Sequence, residues 1–264
     1  MTREVKPEEV RYEERGGLAR VTLARPARRN ALTRAMLERL AEIFGQVAAR
    51  PDLRAVVLGG EGEAFCAGTD IAELSALDEE GARRASGRGQ RVCELIETCG
   101  VPVVAAVRGA AAGGGCELAL ACHLRVAGRD ARFSLPELRL GVMPGYGGTH
   151  RLARETGRAR SLAVMLAGEG LGADEALRAG LVNRVVAPGE VSEEAESLAR
   201  RVAEFSAPLA ARACLEAVTR GARLQHDEAL ALETELFARL FASEDVREGT
   251  RAFLEKRRPK FEGR

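Results

Sequence analysis

The chain has 264 residues, and a hydrophobic fraction of 46% is enough for a large core in one domain or in a domain with an appendage. Its 40 Lys and Arg residues balance 39 Asp and Glu residues, so the formal net charge is +1 and nucleic acid is disfavoured as the main partner, since phosphate-binding proteins usually carry a basic surplus. The longest apolar stretch, residues 110–124, is too short to span a bilayer, so no membrane partner is expected.

The first half of the chain alternates between strand-like and helix-like segments. Residues 10–14 and 18–24 predict a β-hairpin around Gly16-Gly17. Asn30 is a candidate cap for a helix over roughly residues 31–49, in which apolar side chains fall at helical spacing. The next predicted elements are a buried strand, a polar helix and a second apolar strand, at residues 55–58, 79–98 and 101–107.

Strands separated by helices of this length predict an α/β fold with crossover connections. Beyond residue 191 the chain becomes charged and rich in helix signals, with Pro208 and Gly221 as breaks and no strand-like run. We therefore predict two parts: a core over residues 1–195 that carries the active site, and a helical C-terminal region over residues 196–264.

Cysteine and histidine usage predicts neither disulfides nor a metal site. The six cysteines form no C-x-x-C pair, and the three histidines are widely scattered. Cysteines of this kind are usually small buried hydrophobes in a reducing compartment. Residues 1–10 lack the apolar run of a secretory signal, so the sequence predicts a cytoplasmic protein.

A glycine cluster at residues 109–118 is the first unusual segment. Three consecutive glycines, Gly113 to Gly115, follow a strand and precede a helix, which suggests that exposed backbone N–H groups are needed there. The cluster lacks the Gly-Lys-Ser/Thr ending of a phosphate loop and does not match G-x-G-x-x-G, so nucleotide binding is not indicated. A tight strand-to-helix turn remains the alternative explanation.

Two glutamates in apolar surroundings are the candidate chemical groups. Glu117 lies near the start of an apolar helix, where a buried carboxylate is costly unless it is hydrogen-bonded or used. Glu137 follows Pro136 in a second apolar segment. Each has an ordinary alternative: Glu117 as a first-turn residue beside the helix dipole, and Glu137 as an exposed residue at a helix start.

Three motifs together resemble the enoyl-CoA hydratase/isomerase (crotonase) family. They are Phe65-Cys66-Ala67-Gly68-Thr69-Asp70, Gly113-Gly114-Gly115-Cys116-Glu117-Leu118-Ala119, and Pro136-Glu137 with Gly141, Pro144-Gly145, Gly147-Gly148-Thr149 and Arg151-Leu152. Weaker similarity extends from about residue 10 to the end of the chain. The resemblance implies a crotonase-like spiral of ββα units and a C-terminal helical region used in trimerisation, as a homotrimer or homohexamer.

The resemblance also implies the roles of four site residues. The backbone N–H groups of Thr69 and Gly114 are expected to form an oxyanion hole for the thioester oxygen of an acyl-CoA, where preorganised donors stabilise developing charge. Glu117 is expected to hold and deprotonate water, and Glu137 to deliver a proton. Two close carboxylates should share a proton, so their titrations belong to the pair.

Further residues are implied as contacts of the CoA moiety, which is the substrate's own; no other cofactor and no metal are expected. They are Cys66, Ala67, Gly68, Asp70 and Ile71, with Arg28 near the phosphates and Phe253 and Lys256 reaching in from a neighbouring subunit. Lys256 has an equal alternative as a solvated charge in a basic tail, and Arg28 as part of a solvated turn.

Tyr146 occupies a place that in the family is usually held by Gly or Ala. We expect Tyr146 to narrow or polarise the acyl pocket and to favour a short acyl chain; a loop tyrosine pointing to solvent is the equal alternative.

Retention of both glutamates favours an enoyl-CoA hydratase, which adds water in syn fashion to a 2-enoyl-CoA and gives a 3-hydroxyacyl-CoA. The alternatives are hydration of 3-methylglutaconyl-CoA, isomerisation or decarboxylation of another CoA ester, and secondary RNA binding through the locally basic residues 25–39. The absence of Trp and the presence of only 2 Tyr disfavour RNA binding.

Overall fold

A six-stranded sheet forms the centre of the fold, of which the computed structural model describes residues 8–264. Its strand order is β1-β2-β3-β4-β6-β9, with β1 and β2 antiparallel and the other neighbours parallel. A smaller sheet has the order β5-β7-β8. The strands are β1 Val10–Arg15, β2 Leu18–Leu23, β3 Ala55–Gly60, β4 Val103–Val107, β5 Ala110–Ala112, β6 Leu124–Gly128, β7 Arg132–Ser134, β8 Leu171–Gly172 and β9 Arg184–Val186.

Helices connect these strands and make up the C-terminal quarter of the chain. They are α1 Arg34–Ala48, α2 Ile71–Ser75, α3 Glu79–Thr98, α4 Gly114–Ala121, α5 Gly148–Thr156, α6 Arg158–Leu162, α7 Ala173–Arg178, α8 Val191–Phe205, α9 Pro208–Gly221, α10 His226–Leu240 and α11 Glu244–Leu254. Within residues 8–264, three 3-10 turns and one π-helical turn complete the set, at Pro26–Arg28, Glu137–Leu140, Pro188–Glu190 and Ala163–Ala167. The predicted α/β class and the helical C-terminal region are confirmed.

The predicted hairpin and the polar helix are confirmed with small changes of boundary. Gly16 and Gly17, between β1 and β2, have φ values of 59° and 77°, which glycine adopts without steric cost. α3 covers the predicted residues 79–98, because Asp78 caps it by accepting from the Gly81 amide at 2.7 Å. β4 begins at Val103, two residues later than predicted.

The predicted role of Asn30 as a helix cap is wrong. Thr33 caps α1, and its hydroxyl accepts from the Met36 amide at 3.2 Å. Asn30 is buried with φ 57°, and its amide group donates to the carbonyls of Glu61 and Ala64, at 2.9 and 2.8 Å. Its side chain therefore joins two loops and does not begin a helix.

The central sheet has an apolar cluster on each face. Along β3, Val56 and Leu58 face the larger cluster, whereas Ala55 and Val57 face the smaller one, as the two-residue period of a strand requires. α8 covers the smaller cluster. The predicted domain boundary at residue 195 lies inside α8, where Ala195 is fully buried against the sheet. The division into two domains stays a prediction, and α8 joins both parts.

No helix among residues 8–264 is long and apolar enough to cross a membrane.

Candidate active site

The three motifs of the sequence meet at the carboxyl edge of the parallel strands. The first motif follows β3, and the second follows β4 through β5. Cys66 bridges to Ala111, with its amide donating to the Ala110 carbonyl at 3.0 Å and its carbonyl accepting from the Ala112 amide at 2.9 Å. Open parallel sheets usually bind ligands at this edge, because the loops after several strands converge there.

Thr69 and Gly114 lie side by side at this edge. A Cβ placed on Gly114 would lie 3.3 Å from Thr69 Oγ1, and a Cβ on Gly68 would lie 3.5 Å from the Gly114 nitrogen. Gly68 has φ 100° and passes close to the Ala112 carbonyl, which explains why glycine is needed there. Gly114 opens α4, so its amide belongs to the N-terminal turn, where N–H groups lack partners within the helix.

Glu117 is buried in the first turn of α4, with only 1% of its surface exposed. Its Oε1 accepts from the Tyr146 amide at 2.8 Å and from the Gly148 amide at 2.7 Å. Burial raises the pKa of this carboxyl, while the two amides and the Arg151 cation oppose that rise. The two amides and Arg151 thus offset part of the cost of keeping this carboxylate charged inside an apolar core.

Glu137 begins the 3-10 turn that follows β7 and faces the same place. A Cβ on Gly113 would lie 3.1 Å from its Oε1, and its Oε2 is buried without a hydrogen-bond partner in the described chain. Burial, assisted by the negative charge of Glu117, raises the pKa of Glu137 to about 7. The charge of Glu117 therefore affects the protonation of Glu137.

Tyr146 lies inside the site, with 5% of its surface exposed. The alternative of a loop tyrosine pointing to solvent is therefore wrong. Its ring packs on Gly89 of α3 and on Gly114, where added Cβ atoms would lie 2.0 Å and 2.8 Å from ring carbons. Its hydroxyl oxygen accepts from the Thr69 hydroxyl at 2.9 Å. The ring consequently fills space directly beside the predicted oxyanion hole.

The predicted CoA contacts at residues 66–71 form one continuous segment after β3. Ala67 and Ile71 are exposed, whereas Cys66 and Gly68 are buried behind them. Asp70 caps α2 and accepts from Arg25 at 2.7 Å, so its carboxylate is already occupied. The exposed Arg28 lies nearby, because the carbonyl of the next residue, Arg29, accepts from the Ala67 amide at 2.9 Å.

Phe253 and Lys256 lie at the other end of the chain, in and just after α11. Phe253 is 83% exposed, and Lys256 is exposed with φ 55°. Their predicted contacts were with the CoA of a neighbouring subunit, and they stay predictions. Residues 8–264 contain no group of three or more His, Cys, Asp or Glu side chains placed to hold a metal ion.

One face of α3 holds the loop that carries Tyr146, and sequence reasoning missed it. Ser86 donates to the Gly145 carbonyl at 2.6 Å, and Gln90 donates to the same oxygen at 3.1 Å. Glu97, two turns further along, accepts from Arg151 at 3.0 Å. These side chains follow helical spacing together with Gly89, and this stripe of polar and small residues along α3 is the signal that could have revealed them.

Comparison with known proteins identifies the family. The model of the enoyl-CoA hydratase/isomerase family matches residues 13–264. The chain belongs to the enoyl-CoA hydratase/isomerase family. A short-chain-enoyl-CoA hydratase of Clostridium acetobutylicum is 40% identical, and the aligned region covers 93% of this chain and 94% of the relative's sequence. A crotonyl-CoA hydratase of Syntrophomonas wolfei is 38% identical over 96% of this chain and 98% of its own.

Solved structures of this family share the fold. The crystal structure of an enoyl-CoA hydratase from Bacillus anthracis is 34% identical and superposes with a TM-score of 0.93, covering 97% of this chain and 100% of that one. The predicted crotonase-like fold is therefore confirmed, while trimerisation stays a prediction. Within the fold, Thr69, Gly114, Glu117, Glu137 and Tyr146 come together, and their roles are treated as proposals below.

Proposed function

We propose that the protein is an enoyl-CoA hydratase that adds water in syn fashion to a 2-enoyl-CoA and releases a 3-hydroxyacyl-CoA. The observation that carries this proposal is the pair Glu117 and Glu137, a buried and a half-buried carboxyl group, in which the charge of Glu117 raises the pKa of Glu137 and Glu137 lies close to Gly113. The names of the relatives, a short-chain-enoyl-CoA hydratase and a crotonyl-CoA hydratase, support the same reaction. The substrate is an acyl-CoA thioester, and the reaction requires no cofactor beyond it.

The thioester oxygen is proposed to accept hydrogen bonds from the amides of Thr69 and Gly114. Negative charge grows on this oxygen when the α-carbon becomes enolate-like, and fixed donors stabilise that charge without reorganising. Gly68 and Gly114 both lack the Cβ that would fill the gap between the two motifs. The Tyr146 ring packs beside Gly114, and its role is proposed to be narrowing the acyl site in favour of a short acyl chain.

The two glutamates are proposed to divide the proton transfers. Glu117 Oε1 accepts hydrogen bonds from two backbone amides. Its Oε2 accepts no hydrogen bond from residues 8–264, so Oε2 is available to take a proton from water. The water oxygen then bonds to the β-carbon while the double-bond electrons move to the α-carbon. Protonated Glu137 delivers its proton to that carbon, completing the addition of H and OH. Its pKa of about 7 leaves a substantial protonated fraction at neutral pH.

The active assembly is proposed to be a homotrimer or homohexamer. Several large apolar side chains of the C-terminal helices face outwards: Val218, Leu230, Phe237, Phe241, Phe253 and Leu254. A soluble monomer rarely exposes so many in one region, so a second copy is the expected cover. Phe253 and Lys256 would then contact the CoA of a neighbour.

A cytoplasmic location is proposed as well. The six cysteines are all free, and five of them are buried, which fits a compartment that keeps thiols reduced.

The test is a panel of enoyl-CoA esters of increasing chain length, followed by the loss of conjugated-enone absorbance. Glu117→Gln and Glu137→Gln should each lower kcat by about 10²- to 10⁴-fold, because each removes one proton-transfer group. Glu193→Gln, an exposed glutamate on α8, is the matched control and should hydrate at the wild-type rate. The proposal fails if the wild-type protein hydrates none of the esters, or if Glu117→Gln and Glu137→Gln both retain full activity.

A further inference from the structure

A set of charged side chains in contact connects the C-terminal helices with the loop that holds Glu117. Glu97, in the last turns of α3, accepts from Arg151 Nη2 at 3.0 Å and from Arg223 Nη2 at 2.6 Å. The side chains of Arg151 and Glu97 are only 12% and 14% exposed. Solvent therefore screens their ion pair much less than it screens a pair at the surface.

Arg151 is packed directly on the active-site loop. Its Nη1 donates to the Tyr146 carbonyl at 2.9 Å, and a Cβ on Gly147 would lie 2.4 Å from the same nitrogen. Gly147 also has φ 100°, so this position needs glycine both for its backbone conformation and for the guanidinium beside it. The amides of Tyr146 and Gly148, on either side of that contact, are the two donors to Glu117 Oε1.

Arg223 is the member of this set of charged side chains that lies farthest from Glu117. It follows the last turn of α9, so it belongs to the C-terminal helical region, while Glu97 belongs to the core. Its contact with Glu97 spans 126 positions of sequence. Because one carboxylate serves both arginines, a movement of Arg223 changes how Glu97 is shared and hence how firmly Arg151 is held.

We propose that Arg151 is a positioning residue for Glu117, and that Glu97 and Arg223 fix Arg151 so that the C-terminal helices contribute to the geometry of the catalytic base. This inference rests on the proposed hydratase function, in which Glu117 holds the reacting water. The guanidinium fork suits the task, because it binds a carbonyl and a carboxylate at the same time in fixed geometry.

The charge of Arg151 adds a second effect. It is one of the causes that lower the pKa of Glu117 against the rise caused by burial, so its removal should raise that pKa. The other titratable groups that face Glu117 are Glu137 from the 3-10 turn, Cys93 from α3, Cys116 from α4 and the phenol of Tyr146. Burial raises the pKa of both thiols and of the phenol, which keeps them neutral near pH 7.

The first test compares Arg151→Gln, Arg151→Lys and the control Arg154→Gln, an exposed position on the same helix. With the ester that the wild-type protein hydrates best, Arg151→Gln should lower kcat by about 10²-fold, since small displacements of a catalytic group have effects of that size. KM should change much less than kcat, and the acidic limb of the pH profile should move to higher pH. Arg151→Lys should keep the limb near its wild-type position, because the charge remains, but should recover only part of kcat.

The second test acts from the C-terminal end. Arg223→Gln should lower kcat about threefold, the size expected for a residue that acts through others. Arg220→Gln is the matched control, because Arg220 lies in the last turn of α9, three residues before Arg223, but pairs with Glu216. It should leave kcat unchanged.

A third measurement does not depend on turnover. The Glu117 carboxyl is titrated by ¹³C NMR in the substrate-free protein, assigned with Glu117→Gln, and its pKa should rise in Arg151→Gln and not in Arg154→Gln. If the wild-type protein hydrates no ester, the proposed function fails while this titration still decides the role of Arg151. If Arg151→Gln does not fold, Arg223→Gln carries the test. Unchanged titration of Glu117 and unchanged kcat per folded molecule, in the variants that fold, would overturn the inference.

Discussion

Glu117 and Glu137 carry the same side chain in two different surroundings, one on a helix inside the core and one at the edge of an exposed segment. Glu117 is on α4 and receives two amide hydrogen bonds on one oxygen. Glu137 starts a turn followed by exposed apolar side chains, Leu138, Leu140, Val142 and Met143, and one of its oxygens is buried without a partner. Burial raises the pKa of both; two loop amides and Arg151 oppose the rise at Glu117, whereas the negative charge of Glu117 adds to the rise at Glu137.

The different surroundings of Glu117 and Glu137 show how one residue type can take two roles. Hydrogen bonds to the charged form favour a carboxylate, whereas burial without donors favours the acid. A pair of groups with unequal surroundings is therefore divided into base and acid before any substrate arrives. The loop amides of Tyr146 and Gly148 that bind Glu117 form a frame around it. This frame can be tested first, then the protonation of Glu137, and finally the ring of Tyr146, which lies between the frame and the acyl site.

Among the changes below that keep both glutamates, the largest effect is expected from Gly148→Ala, which replaces no side chain of the site but adds a Cβ against Glu117. The new Cβ would lie 2.8 Å from Glu117 Cγ and 2.9 Å from its Oε1, so Glu117 must move. We expect kcat to fall by about 10²-fold, as for other small displacements of catalytic groups. Gly145→Ala, in the same loop, is the control, because its Cβ would meet Ser86 only at 3.6 Å. Equal kcat values for the two variants would show that the position of Glu117 is not critical.

The next effect concerns pH and the acid of the pair. If Glu137 must be protonated, kcat/KM should fall as the pH rises through about 7, by up to about tenfold per pH unit, because the donor form disappears. The same raised pKa means that the folded protein binds more protons than the unfolded chain between the ordinary value of 4.5 and about 7. The contribution of Glu137 to the free energy of unfolding therefore decreases as the pH rises through that window.

Glu137→Gln separates these two consequences in one variant. Its activity should be low at every pH, while its free energy of unfolding at pH 8 should equal or exceed that of the wild-type protein, because a buried charge without a partner is removed. Denaturant unfolding at pH 5 and pH 8 measures this, with Glu193→Gln as the surface control. A variant that is less stable than the wild-type protein at pH 8 would contradict the buried, unpartnered state of Glu137.

The sequence predicted the parts of the fold that depend on local signals. α3 has the predicted bounds because Asp78 can cap it from three residues away. The hairpin followed from two adjacent glycines. The predicted helix cap at Asn30 was wrong because its side chain donates hydrogen bonds to the carbonyls of Glu61 and Ala64, more than thirty positions away. No local sequence pattern shows such a contact.

For the candidate site, the family resemblance pointed to the glutamates, but the residues that support them were not predictable. The contact between Glu97 and Arg151 joins positions 54 apart and depends on how α3 packs against the loop. Tyr146 shows the same limit. Its position in a glycine-rich loop left burial and exposure equally open, and only packing on Gly89 and Gly114 decides for burial.

The smallest effect is expected at Tyr146, whose backbone belongs to the frame of Glu117 and whose ring borders the acyl site. Tyr146→Phe removes only the hydroxyl bond to Thr69, and a single neutral hydrogen bond contributes about 1 kcal/mol, so kcat should fall about fivefold or less. Tyr146→Gly removes the ring as well and opens space beside Gly114, so the variant should gain activity on longer esters relative to crotonyl-CoA. The measurement is kcat/KM for a chain-length series with the wild-type protein and both variants. Because Tyr146→Phe keeps the ring, it is the control for space: its chain-length preference should match the wild-type one. An unchanged preference in Tyr146→Gly would show that the ring does not limit the acyl chain, even though it packs against Gly114 of the predicted oxyanion hole.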